Sequence, residues 1–237
     1  MIDKIYALAF MRKKKRKKIA ALIASICFVG ILILILLAFN VWYIDRFTIT
    51  TINDPALCLT IDENKQQLTT ELAAPPLTDA TDTQYSKIPL DIDDGLGSKN
   101  TNQYFAYSFY LGAYSTSDSI NYELSMTFDK ASQDLEEAIR IMIIKNGIKT
   151  VYAKADQYGN AKPIYSGDPN DSTPVQIGTT VKFKENKHII LEPYKITPGS
   201  YDKYTVVMWI DGWDSKNDMK GGVFQSSIKF STMSINK

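Results

Sequence analysis

Between Ser119 and Phe128 apolar and polar side chains alternate without a break. Ile120, Tyr122, Leu124, Met126 and Phe128 fall on one side, and Ser119, Asn121, Glu123, Ser125 and Thr127 on the other. A period of two marks a strand with one buried face. The same period recurs in Tyr104–Leu111, where Phe105, Tyr107, Phe109 and Leu111 share a face. Ala138–Lys145 sets Ile139, Ile141 and Ile143 against Arg140 and Met142. Lys203–Ile210 offers Tyr204, Val206, Met208 and Ile210 with Val207 and Trp209 behind them, and Val223–Ser234 offers Phe224, Ile228 and Phe230. Ile148–Ala153, Thr180–Lys184 and His188–Leu191 are shorter candidates, and Phe47–Ile52 and Ala56–Ile61 flank the turn signal Asn53-Asp54-Pro55. Asn146-Gly147 predicts a tight hairpin, because both residues tolerate the positive φ of a type I′ turn. Only Gln133–Ala138 reads as helical, for a turn or two. About eight to ten strands punctuated by turns predict an all-β sandwich. Residues 62–103, rich in Thr, Asp, Gln and Pro and without a clear period, read as a long loop, linker or insertion.

The N-terminal pattern is of another kind. Ile19 to Phe39 is an uncharged run broken only by Ser25 and Gly30. As a helix it would extend about 30 Å, the thickness of a bilayer hydrocarbon core. Lys4, Arg12, Lys13, Lys14, Lys15, Arg16, Lys17 and Lys18 precede it against Asp3 alone, and Trp42 and Tyr43 follow it. Positive residues stay on the cytoplasmic side and amphipathic rings prefer the interface. The pattern therefore predicts a basic cytoplasmic tail over 1–18, a single transmembrane helix over 19–43 and an extracellular domain over 44–237. The apolar run is longer than that of a cleavable leader, and Leu37-Ala38-Phe39-Asn40 is a poor small-x-small site, so the anchor is read as retained.

Charge sharpens this division. The formal net charge of +1 conceals a basic tail and an acidic remainder, and an acidic domain has no footprint for nucleic acid. Two cysteines, Cys27 in the apolar run and Cys58 beyond it, leave the outer domain without an internal disulfide. Cys58 reads as a small buried hydrophobe. The one histidine, His188, has no G-x-S-x-G elbow to accompany it and no cysteine cluster for a structural zinc site; it reads as a strand-end residue. Asp91-Ile92-Asp93-Asp94-Gly95 is the one candidate metal site, with Asp91, Asp93 and Asp94 as ligands for calcium. No Glu closes an EF-hand spacing, so a solvated acidic turn is the competing reading. Gly95-Leu96-Gly97-Ser98-Lys99 lacks the spacing of a phosphate loop. Asp211–Asp218 reads as a polar strand-connecting loop, and Tyr104, Tyr107, Tyr110 and Tyr114 as core residues or a sugar-stacking face.

From about residue 95 to 235 the chain resembles the camelysin and TasA-like exported surface and biofilm-matrix proteins of Gram-positive bacteria. The resemblance rests on Asn102-Gln103-Tyr104-Phe105-Ala106-Tyr107-Ser108-Phe109-Tyr110-Leu111, on Leu135-Glu136-Glu137-Ala138-Ile139-Arg140-Ile141, and on Tyr204–Gly212 followed by Gly221-Gly222 and a final strand. It implies a jelly-roll sandwich with a structural or matrix role, and none of these strings is a catalytic motif. One departure is the retained anchor, where matrix-type relatives carry a cleavable leader. The expectation is a membrane-tethered, non-enzymatic surface protein with a structural, adhesive or assembly role. Its partners would be the membrane and a second copy or another protein paired through a strand edge. The alternatives are an extracellular module that binds a glycan or metal ion, and an accessory subunit of a membrane complex.

Overall fold

The computed structural model describes residues 25–33, 46–51, 56–114, 119–167, 169, 173–185 and 187–233. The chain divides into two units, Met1–Asp45 and Arg46–Lys237. In the first, residues 25–33 are helical and exposed. The rest of the expected 19–43 span lies outside the described residues, as does the 1–18 tail. Among the described residues no helix is long and apolar enough to cross a membrane.

The second unit is mostly β, with mixed sheets packed together as a sandwich. Its strands are β1 (Phe47–Thr50), β2 (Leu57–Thr60), β3 (Glu71–Ala74), β4 (Gly97–Ser98), β5 (Tyr104–Ala113), β6 (Ile120–Ala131) and β7 (Ile139–Lys145). They continue as β8 (Ile148–Ala153), β9 (Ile164–Ser166), β10 (Val175–Gly178), β11 (Val181–Lys182), β12 (Ile189–Ile196), β13 (Tyr201–Ile210) and β14 (Phe224–Thr232). The described residues thus hold more strands than the eight to ten expected. The surplus comes from pieces of two to four residues such as β4, β9 and β11, too short to show a period. One five-stranded sheet runs β12-β6-β14-β1-β3, and a seven-stranded sheet runs β11-β8-β7-β13-β5-β2 with β4 also on β5. Most pairs are antiparallel, but β1 runs parallel to β14 and β11 parallel to β8. The short strands β1 and β2 therefore lie in different sheets.

The alternating residues meet where the pattern places them. Tyr122, Leu124 and Met126 of β6 and Ile228 and Phe230 of β14 face Phe109 and Leu111 of β5, Ile141 and Ile143 of β7, and Tyr204 and Val206 of β13 in one core. Phe230 packs edge-on against Phe109 and Tyr204, with ring centroids 6.0 and 5.2 Å away. Gly112 sits where a β-carbon would strike the Tyr201 ring and come within 2.9 Å of the buried Cys58 Sγ. No larger residue fits that crossing without moving its neighbours. The hairpin forms as predicted, with Lys145 opposite Ile148 and φ of 48° at Asn146 and 82° at Gly147. The one-turn helix is Leu135–Ala138.

The seven-stranded sheet departs from half-burial. Along β5 nine of ten residues are buried, and in β7 only Lys145 is not. Its second face carries Tyr104, Ala106, Met142, Ile144, Val151, Val207 and Trp209, and Ile88, Ile92 and Ile164 cover them. Ile88 and Ile92 come from the 62–103 segment, which is not a plain loop: it supplies β3 to one sheet and β4 to the other, and between them residues 75–96 form a strap tied down by backbone bonds. Thr81 N–H reaches Asn102 O at 2.7 Å, Thr83 N–H reaches Ile210 O at 2.9 Å, and Lys99 N–H reaches Ala106 O at 2.8 Å. Each fully buried aliphatic side chain here contributes on the order of 1.5–3 kcal/mol.

Candidate functional site

At the end of β13 the covered face of the seven-stranded sheet turns from apolar to charged. Arg140 stands opposite Trp209 in the β7–β13 register, and Asp211 lies two residues past Trp209, on the same side of the pleat. Arg140 and Asp211 are 0% and 1% exposed. The chain after β13 folds back on itself: Trp213 N–H donates to Asp211 Oδ1 at 3.0 Å, and Ser215 N–H donates to Asp211 O at 2.9 Å. That turn delivers the Asp214 carboxylate to the Arg140 guanidinium as an ion pair. Arg140 also donates to the carbonyls of Glu137 at 3.3 Å and Pro163 at 3.4 Å. Lys162 continues the chain of charges, 3.6 Å from Asp214 Oδ1 and 2.8 Å from Glu137 Oε2. Lys154 pairs with Glu137 Oε1 at 2.7 Å and with Glu136.

These groups titrate as their surroundings dictate. Burial pushes the Asp211 carboxyl above its ordinary range, against the opposing Arg140 charge. Glu137 also loses hydration, but hydrogen bonds from Lys154 and Lys162 outweigh this and hold it below the usual glutamate range. Among the described residues, Thr83 Oγ1, Arg140 Nε and Trp213 Nε1 are buried without a hydrogen-bond partner, and the Trp209 indole N–H faces the Asp211 carboxylate without reaching hydrogen-bond geometry. The cluster joins four segments, namely the strap at Thr83, the helical turn, the Lys154–Pro163 connection and the Asp211–Ser215 turn. Its chemistry is that of a brace: opposite charges placed against one another under cover.

A second polar group lies between the sheets. Lys145 Nζ sits 3.2 Å from Asp202 Oδ2 and 3.2 Å above the Tyr194 ring centroid. Tyr122 Oη donates to Asp202 and lies 2.8 Å from Tyr204 Oη. Burial raises both phenols far above their ordinary range and lowers the Lys145 ammonium, which Asp202 partly restores. Ile143, Lys145, Asn146, Ile148, Thr150, Leu191 and Tyr194 line a cleft of about 110 Å³ here.

The residues singled out from sequence are placed differently. Asp91, Asp93 and Asp94 sit in the turn after Pro89, closed by Asp94 N–H to Asp91 O at 2.9 Å. Among the described residues no three metal-ligating side chains gather into a group. The Lys99 ammonium lies at the same turn, donating to Ile92 O at 2.6 Å and to Asp94 O. His188 Nδ1 accepts the Phe128 N–H at 3.1 Å, and its ring stacks on Phe128 at 3.8 Å. Tyr104 and Tyr107 fall in separate cores, whereas Tyr110 lies under Lys65 Nζ at 4.5 Å. The sheet edges are short, as at β2, β3 and β11, or interrupted, as at β12, where the register shifts around Pro193. Such edges resist pairing. The Arg140 and Lys145 clusters were missed; a charge inside the Ile-rich run Ile139–Ile144 was the available signal. Comparison of the chain with protein-family models, curated proteins and solved structures finds no match.

Replacing Arg140 with Leu removes the positive charge that faces buried Asp211 and leaves Asp214 with Lys162 alone, and the expected cost is about 3 kcal/mol in urea unfolding. Asp214→Asn, at a partly exposed partner, costs about 1 kcal/mol. An Arg140→Leu protein as stable as the parent contradicts the brace.

His188 supplies a pH dependence. Burial lowers its pKa, against the charges of Glu136 and Asp129. Below about pH 6.5 the unfolded chain takes up the proton first. Stability is therefore complete above that value and declines as pH falls towards the lower folded pKa. Urea midpoints of the parent should fall across this window more steeply than those of His188→Gln; parallel profiles would refute the assignment.

Proposed function

We propose that this chain is a membrane-tethered, non-enzymatic cell-surface protein whose outer jelly-roll domain, of the camelysin and TasA-like kind, has a structural, adhesive or assembly role in the envelope. One observation carries the reading. The described helical segment exposes Ile26, Phe28, Val29, Ile31, Leu32 and Ile33. A helix apolar all round needs lipid or a large protein core to cover it. The basic run that precedes it favours an N-terminus inside the cell. The braced ion network supports a load-resisting role, because breaking it exposes buried charge.

Protease applied to intact cells with a permeable wall tests the topology. Fragments from residues 46–237 should be released while an N-terminal epitope tag survives. Protection of the C-terminal domain, or loss of the tag first, overturns the reading.

A further inference from the structure

Asn146-Gly147 is the one Asn-Gly pair in the sequence. In a flexible chain this dipeptide is prone to deamidation, because no side chain on glycine hinders attack by its nitrogen. The Gly147 nitrogen attacks Asn146 Cγ, the Cγ–Nδ2 bond breaks, and ammonia leaves from a five-membered succinimide. Water then opens the ring at either carbonyl, leaving Asp or isoAsp at position 146.

The turn is exposed to water, yet the Asn146 amide is held at both ends. Nδ2 donates to Asp202 Oδ1 at 2.7 Å, and Oδ1 accepts the Lys203 N–H at 2.8 Å. Asn146 N–H adds a third bond to β13, at Lys203 O, 2.9 Å away. Cyclisation must turn the amide towards Gly147, and that breaks both side-chain bonds. One of them is charge-assisted, the stronger class.

We propose that Asn146 is a deamidation site held shut by the fold, with Asp202 as its guard. The product matters to the cleft beside it. A carboxylate at 146 replaces a donor to Asp202 with a like charge, next to the ion pair that holds Lys145 over Tyr194. Once opened, the site cannot reclose, and the turn loses the side-chain donor that ties it to Asp202 of β13.

The full chain in detergent is incubated at mildly alkaline pH, folded or in urea, and the mass gain at Asn146 is followed by peptide mass spectrometry. The folded protein should deamidate at least about tenfold more slowly than the unfolded, the factor set by one charge-assisted hydrogen bond. Asp202→Ala, shown folded by circular dichroism, should recover most of that factor. Asp202→Asn, which keeps an acceptor oxygen, serves if the alanine variant does not fold, and should deamidate at an intermediate rate. Equal rates for folded and unfolded parent, or parental protection in either folded variant, overturn the proposal.

Discussion

The central strands of the seven-stranded sheet are apolar on both faces, so the sheet must be covered twice. One cover is the five-stranded sheet, whose inward residues interlock with Phe109, Ile141 and Tyr204. The other is mixed, with Ile164 of the two-stranded β9–β10 sheet forming part of it. The rest is the irregular strap that brings Ile88 and Ile92 onto Met142, Val207 and Trp209. A strap has no ladder of its own, so its backbone groups need partners elsewhere. Thr83 finds them by bridging to the end of β13, accepting from Gly212 N–H at 2.9 Å as well as donating to Ile210. The second core exists only while that attachment holds.

The buried charges follow from the same geometry. Where the strap, the helical turn and the post-β13 turn converge, the outer face carries Arg140 rather than another aliphatic residue. Burying a guanidinium costs several kcal/mol unless it is paired and hydrogen-bonded. Asp214 and the carbonyls of Glu137, Ile139 and Pro163 supply those partners. Arg140 thereby links segments that share no ladder. Elsewhere in the sheet buried polar side chains pair across strands, as Ser108 of β5 does with Thr205 of β13 at 2.8 Å. Polar chemistry here orders the chain.

Much of the first core was legible because a strand with one polar face announces itself: in β6, Glu123 and Thr127 point away from the core that Leu124 and Met126 enter. The hairpin was legible for a similarly local reason, the positive φ that Asn146-Gly147 accepts. The second core was not. Ala106, Met142 and Val207 are apolar residues on the side that alternation assigns to solvent, and their cover lies in residues 62–103, where isolated Ile88 and Ile92 have no period. Charge partners were illegible too, since Arg140 and Asp214 are 74 positions apart and meet only through the turn after β13. At the acidic run Asp91–Asp94 the ammonium of Lys99 was illegible as a neighbour, because it bonds the backbone carbonyls of Ile92 and Asp94 at no spacing that a motif describes. The basic tail and most of the apolar run lie outside the described residues, so the anchor stands on sequence and on the exposed apolar residues of 25–33.

Residue-resolved hydrogen exchange on the Arg46–Lys237 unit measures the double covering most directly. If the strap is an integral wall of the second core, the amides of Thr83 and Gly212 exchange as slowly as those within β13, by opening of the whole domain. If those two amides exchange at the rate of an unstructured loop while β13 stays protected, the strap is not what closes the sheet.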